Sequence, residues 1–229
     1  MQGTPTWDSY RGKLETYFDR TAFEAWKTMT SDAPVSRIRA TVRAGRDAMR
    51  SALLDMLPAD LTAARLLDAG CGTGALAVAA TARGAEVIAV DVSGQLIAIA
   101  RERTPAGVAI DYRVGDMLSA AHGEFDHVIA MDSLIHYPTS DIVAVVAALG
   151  ERTRRSIIFT VTPRSALLMA KLTVGNIFPR ADRAPAIIPA KIDTLTARLT
   201  AAMPGWQLGR QHRVSGGFYT SHAIELVRA

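Results

Sequence analysis

Arg65-Leu66-Leu67-Asp68-Ala69-Gly70-Cys71-Gly72-Thr73-Gly74 is a short apolar run that gives way to glycine at every second position. Its first five residues read as a buried strand, and residues 75–82 behind the glycines read as an alanine-rich helix. A glycine loop between a first strand and a first helix lets backbone approach a ligand at the C-terminal edge of a sheet. The glycines alone are ambiguous, because Gly70-x-Gly72-x-x-Ala75 also satisfies the relaxed dinucleotide pattern. Asp68 moves the balance. A carboxylate at that strand end would repel a pyrophosphate, whereas it suits the cationic amino-acid end of S-adenosylmethionine. Cys71, inside the loop, reads as a small space-filling side chain.

Downstream the chain alternates. Residues 86–91 form a second strand, and Ser93 is placed to cap a helix that reaches Arg103. Residues 108–114, 125–131 and 156–161 are further strands, with a helix over 141–149. This rhythm predicts a Rossmann-like α/β fold, a seven-stranded, mostly parallel sheet with helices on both faces. A helix over 191–203 and two strands, 206–213 and 217–227, joined by Ser215-Gly216-Gly217, would close one edge. Between them, residues 163–189 break the rhythm with Pro163, Pro179, Pro185 and Pro189, and read as a helix over 164–174 followed by an irregular insertion.

Four acids fall at successive strand ends on one edge. Asp68 is the first; Asp91, followed by Val92, is placed to accept both ribose hydroxyls of an adenosine. Asp116, in Gly115-Asp116-Met117, can receive the adenine amino group while Met117 covers the ring. Met131-Asp132-Ser133 ends the fourth strand and faces the same crevice. Any one of these acids could be a turn residue or a helix cap, but four together on one edge make an S-adenosylmethionine site. An NAD-dependent oxidoreductase is disfavoured by Asp68 and by alanine at position 75.

Residues 1–60 precede this core as a helical arm. Trp7, Tyr10, Tyr17, Phe18, Phe23 and Trp26 crowd its start, at helical spacing with a break near Asp19, as a satellite core or a lid. Val35, Ile38, Val42, Met49, Leu53 and Met56 then mark one face of an amphipathic helix, with Gly45 on the stripe permitting close approach and Pro58 ending it. Arg39, Arg43, Arg46 and Arg50 occupy the adjoining face. The whole reads as one domain: arm 1–60, cofactor-binding core 61–162, substrate-side insertion 163–189, closing helix and strands 190–229.

Composition sets outer bounds. At 229 residues, 49% hydrophobic and 21% charged, the chain has a real core. One cysteine excludes an internal disulfide or a cysteine metal cluster. No targeting pattern or bilayer-length apolar run is read, so a soluble, cytoplasmic protein is expected. A charge of +4 leans towards anionic partners, but the arginines are scattered, and no dense basic patch with stacking aromatics argues for nucleic acid.

Segments spread over nearly the whole chain resemble magnesium-protoporphyrin IX O-methyltransferases of bacteriochlorophyll biosynthesis. They are Tyr17-Phe18-Asp19-Arg20-Thr21-Ala22-Phe23-Glu24-Ala25-Trp26, Val42-Arg43-Ala44-Gly45-Arg46, Met131-Asp132-Ser133-Leu134-Ile135-His136-Tyr137, Phe178-Pro179-Arg180-Ala181-Asp182-Arg183-Ala184-Pro185 and Ser215-Gly216-Gly217-Phe218-Tyr219. The resemblance implies methyl transfer from S-adenosylmethionine to one propionate of Mg-protoporphyrin IX. It supports catalytic roles for His136, on the propionate or the substrate's magnesium, and for Tyr17, donating from the arm. Arg43 would meet the cofactor's carboxylate. Arg180 and Arg183 would take a propionate, with Phe178 and Tyr137 against the macrocycle. The porphyrin-binding subunit of magnesium chelatase and the periphery of the photosynthetic membrane are the contacts implied, for a protein read as a monomer. A quinone or phenol O-methyltransferase, or a porphyrin carrier without activity, are the competing readings.

Overall fold

Successive residues of a strand face opposite ways, and on β1 (Arg65–Ala69) Leu66 and Leu67 enter two separate apolar cores. Burial on both faces is what a central parallel strand requires. The computed structural model, which describes residues 5–21, 28–30, 34, 36–164 and 186–229, shows how this is met. β2 (Glu86–Asp91), β3 (Asp111–Val114), β4 (Phe125–Ala130) and β5 (Thr153–Val161) extend a parallel sheet around β1. β7 (Tyr219–Arg228) runs antiparallel to β5, and β6 (Trp206–Gly216) pairs antiparallel with β7 at the edge. The order across the sheet is β3-β2-β1-β4-β5-β7-β6.

Helices cover both faces. The arm supplies α1 (Pro5–Thr16), a π-helical turn (Tyr17–Thr21) and α2 (Arg37–Asp55). The core and closing segments supply α3 (Ala75–Thr81), α4 (Gly94–Arg103), α5 (Thr139–Gly150) and α6 (Ile192–Ala202). Trp7 and Leu14 of α1, Ile142 and Val146 of α5 and Leu195 and Leu199 of α6 pack on the face that takes Leu67. Met49 and Leu53 of α2, Ala77 and Ala80 of α3 and Ile97 of α4 pack on the other. Met49 and Leu53 are fully buried, each a contribution of about 1.5–3 kcal/mol.

The boundaries differ from expectation where turn chemistry decides them. β3 pairs only from Asp111, because the turn at Gly107, with Val108 N donating to Pro105 O at 3.1 Å, occupies the expected start. α2 is capped by Ser36, whose Oγ accepts from Arg39 N at 3.4 Å, and stops at Asp55, before Pro58. Ile38, on the expected apolar stripe, is 54% exposed in its first turn. β6 runs through Gly216, so the reversal falls at Gly217-Phe218. Gly45 does what its place on the stripe suggested: a Cβ there would lie 2.5 Å from the Tyr219 ring of β7. Val35, Phe23, Trp26 and the expected helix over 164–174, beyond Arg164, lie outside the described residues. Among those described, no helix is long and apolar enough to cross a membrane.

Candidate active site

The C-terminal ends of β1, β2 and β4 border a cavity of about 310 Å³. The glycine loop forms its floor. Gly70, Gly72 and Gly74 all hold left-handed backbone, with φ of 81°, 55° and 79°. Gly70 N and Cys71 N donate to Val90 O at 2.8 and 3.0 Å, lashing the loop to β2. Asp91 extends that tie: its Oδ2 accepts from Gly72 N and its Oδ1 from Ser93 N, both at 2.9 Å. From the other side Ser133 donates through Oγ to Ala69 O at 2.8 Å. A Cβ on Gly70 would stand 2.3 Å from the Ser133 Cβ, so no larger residue fits.

Asp68 is the electrostatic centre of this floor. It is 1% exposed, and its Oδ2 is buried with no hydrogen-bond partner among the described residues. Burial first, then the neighbouring Asp91 charge, pushes its carboxyl up to about 7. Burial also raises Asp91, against the hydrogen bonds from Ser93 and Gly72. The Cys71 thiol is pushed well up by burial, then by Asp68 and Asp91, which fits a neutral space-filler.

The arm closes one side. Leu14, Phe18, Met29 and Thr30 line the cavity, and Asp19 accepts from Ser93 Oγ while its carbonyl accepts from Gln95 Nε2 at 2.7 Å. Phe18, rather than Tyr17, reaches the wall; Tyr17 meets it edge-on, with centroids 5.2 Å apart. Asp116, expected on the adenine, turns its carboxylate to the arm instead. Its Oδ2 accepts from Trp7 Nε1 at 3.3 Å and lies 3.8 Å from Arg11 Nε, while Gly115 and Met117 line the cavity. Tyr137 also lines it, but its ring stacks on Trp7 at 4.2 Å and 24°.

Val92, Met131 and His136 take their expected places on the wall. His136 follows the end of β4, with Nδ1 3.3 Å from Ala186 O. Arg43 lines the cavity too, but donates to Thr28 O at 3.0 Å and Met29 O at 3.1 Å, holding the arm. Phe178, Arg180 and Arg183 lie outside the described residues. The sequence reading passed over Arg46 and Tyr219 as site residues, although each stands in a segment it quoted, and it counted Asp132 among the four strand-end acids without naming its partners. Arg46 Nη1 and Asp132 Oδ2 are paired at 2.7 Å on the cavity wall, with the Tyr219 hydroxyl on the same carboxylate. Gly45 beside Arg46 was the available signal: a gap in a stripe calls for something to fill it.

A glycine-looped first strand, an acid at the end of the second and a reversed seventh strand define a class I S-adenosylmethionine-dependent methyltransferase, and a general methyltransferase-domain profile matches residues 66–155. A second profile, for the magnesium-protoporphyrin IX methyltransferase C-terminus, matches residues 130–228. A magnesium-protoporphyrin O-methyltransferase of Rhodobacter capsulatus is 48% identical over 218 residues, covering 94% of this chain and 95% of its own. The chain belongs to the magnesium-protoporphyrin IX O-methyltransferase family. The crystal structure of magnesium protoporphyrin IX methyltransferase from Synechocystis PCC 6803 with bound SAH agrees with a TM-score of 0.82, at 26% identity over 95% of this chain and 99% of that one. A ubiquinone biosynthesis O-methyltransferase from Xanthomonas euvesicatoria is 39% identical, but only over 93 residues, 39% of this chain and 38% of its own.

Proposed function

We infer that this chain transfers the methyl group of S-adenosylmethionine to a propionate of Mg-protoporphyrin IX, giving the monomethyl ester and S-adenosylhomocysteine. The observation that carries the cofactor half is Asp68. A buried carboxylate oxygen with no partner among the described residues awaits a cationic donor, and the ammonium of the cofactor's amino-acid end is one. The residues therefore fit the group. Asp68 would accept from that ammonium, the Asp91 carboxylate from the ribose hydroxyls, and Met117, Val92 and Leu96 would enclose the adenine. The cofactor supplies an electrophilic methyl on a sulfonium.

The acceptor needs no strong base. A propionic acid titrates at about 4.3, by analogy with Glu, and is already a carboxylate near neutrality. The protein's task is to strip water from that oxygen and aim it, and positioning of this kind is worth roughly 7–11 kcal/mol of barrier. His136 is suited to aiming. A carbonyl only accepts, so its contact with Ala186 O requires the proton on Nδ1 and leaves Nε2 with its lone pair in the neutral ring. A ring tethered in that way suits the magnesium of the acceptor better than the propionate oxygen. Tyr17 sits one residue from the wall-forming Phe18, within the turn that Asp19 fastens over the cavity, and is the arm's donor in this reading. A charge of +4 supports contact with an anionic membrane surface, and family membership makes the porphyrin-binding subunit of magnesium chelatase the donor of the pigment in this reading.

Purified protein mixed with S-adenosylmethionine and Mg-protoporphyrin IX should yield the monomethyl ester by mass spectrometry. Absence of ester from protein that binds S-adenosylhomocysteine would overturn the acceptor; methylation of a phenol in its place would favour the quinone-type reading.

A further inference from the structure

The connection from β3 to β4, residues 115–124, brings Gly115 and Met117 to the cavity wall. Its start is tied to the acid at the end of β2, because Gly115 N donates to Asp91 O at 2.9 Å. Further along it makes a 3₁₀ turn (Ala120–His122), and the histidine of that turn reaches back to Asp116. His122 is 6% exposed, with Nε2 2.9 Å from Asp116 O and Nδ1 3.0 Å from Arg113 Nη1. A carbonyl only accepts and a guanidinium only donates, so the ring is neutral with its proton on Nε2. Burial first, with the Arg113 and Arg152 charges beside it, holds the imidazole below the ordinary histidine range, against the Asp116 carbonyl and carboxylate.

Two arginines complete the frame. Arg113 of β3 also donates to Ala121 O at 2.9 Å and pairs with Asp111 at 2.6 Å. Arg152, just before β5, donates to Ser119 O at 2.8 Å and Leu118 O at 3.3 Å, and its Nη2 lies 3.5 Å from Met117 O. His122, Arg113 and Arg152 do not line the cavity themselves. They hold the backbone from which Met117 extends into it.

We propose that His122 is a positioning residue of the cofactor site, fixing Met117 through the Asp116 carbonyl where the adenine ring packs. The proposal rests on the reading of Met117 as part of the adenine enclosure. A methionine side chain has three rotatable bonds, so its cover over a ring is only as well defined as the backbone that carries it. A gap of about 0.5–1 Å forfeits a quarter to a half of a dispersion contact, so a small shift of the loop costs affinity while the sheet stays intact. A neutral imidazole suits the task, because it is rigid and offers a donor and an acceptor on separate edges.

The test measures steady-state kinetics and S-adenosylhomocysteine binding together. His122→Ala should raise KM for S-adenosylmethionine and the dissociation constant of S-adenosylhomocysteine about 3- to 10-fold, the loss expected of neutral hydrogen bonds. At saturating cofactor, kcat and KM for porphyrin should stay within about twofold. His122→Gln, whose amide supplies both a donor and an acceptor, should recover most of the affinity. Arg113→Ala, at a side chain one-third exposed where folding is not at stake, should shift the same KM by about 2- to 5-fold. Met117→Ala will weaken binding in its own right, and adding His122→Ala to it should cost less than about twofold more, because the histidine acts through that side chain. Similar losses in kcat and both KM values, no recovery by glutamine, or full additivity with Met117→Ala would mean a general loosening and overturn the proposal. So would unchanged S-adenosylhomocysteine affinity in His122→Ala. Failure of the wild-type protein to bind S-adenosylhomocysteine would overturn the cofactor reading and this inference with it.

Discussion

In the cofactor-free protein Asp68 titrates at about 7, so taking the solution from about pH 7.5 to about pH 6 cuts its ionised fraction from roughly three quarters to roughly one tenth. Only the carboxylate pairs with the ligand's ammonium. The dissociation constant of S-adenosylhomocysteine should therefore rise about 8-fold across that window, about 1.3 kcal/mol. Calorimetry in buffers of different ionisation heat adds a second signature: close to one proton released on binding at about pH 6, and about a quarter at about pH 7.5. Asp68→Asn should bind weakly with no such slope. The sign for stability is opposite to that of an ordinary carboxylate. The folded pKa lies above the unfolded one, so this group makes the cofactor-free protein lose stability as pH rises from the usual carboxylate range to about 7, by at most about 1.4 kcal/mol per unit. Asp68→Asn should accordingly melt higher than wild type at alkaline pH without ligand, and gain less from adding it. A wild-type affinity flat to within twofold between the two pH values, or the same slope in the Asn variant, would refute this account.

Three further outcomes follow from the geometry. His136→Ala should leave S-adenosylhomocysteine affinity intact, lower kcat by about 10²-fold or more, and reduce the preference for Mg-protoporphyrin over metal-free protoporphyrin in competition binding; unchanged preference would remove the magnesium contact. Gly45→Ala puts a Cβ 2.5 Å from the Tyr219 ring and should lower the melting point by overpacking of about 1–3 kcal/mol; an unchanged melting point would show that the ring can move aside. Trp7→Ala removes a buried ring stacked on Tyr137 together with the N–H on Asp116, at a cost of about 3–5 kcal/mol. Limited proteolysis should then cut the arm sooner while the sheet stays intact; uniform unfolding would show that the arm is no separate unit.

The sheet was legible because buried parallel strands carry their own mark: Arg65–Ala69 and Glu86–Asp91 were read residue for residue. Where a turn competes for the same residues, as at Pro105–Val108, periodicity is silent and the boundary moved. At the site, Asp68, Asp91 and the glycines were visible because strand ends fix where they point. The partners of Asp116 were not legible, because nothing local records that Trp7 and Arg11, more than a hundred residues upstream, meet its carboxylate. Arg43 and Arg46 stand one turn apart on a helix of known phase, and only the partners at their tips separate them: arm carbonyls for one, Asp132 for the other. Such choices are made by tertiary neighbours.

The reversed strand β7 carries a consequence for how the molecule is made. Asp132 leaves the ribosome 87 residues ahead of the Tyr219 hydroxyl that holds its carboxylate. A nascent chain can therefore assemble β1 to β4 and the glycine loop while the wall behind Arg46 is still unbuilt. A chain stalled before β7 should be cleared as an incomplete sheet, edge exposed on β5, rather than persist as a half-active enzyme.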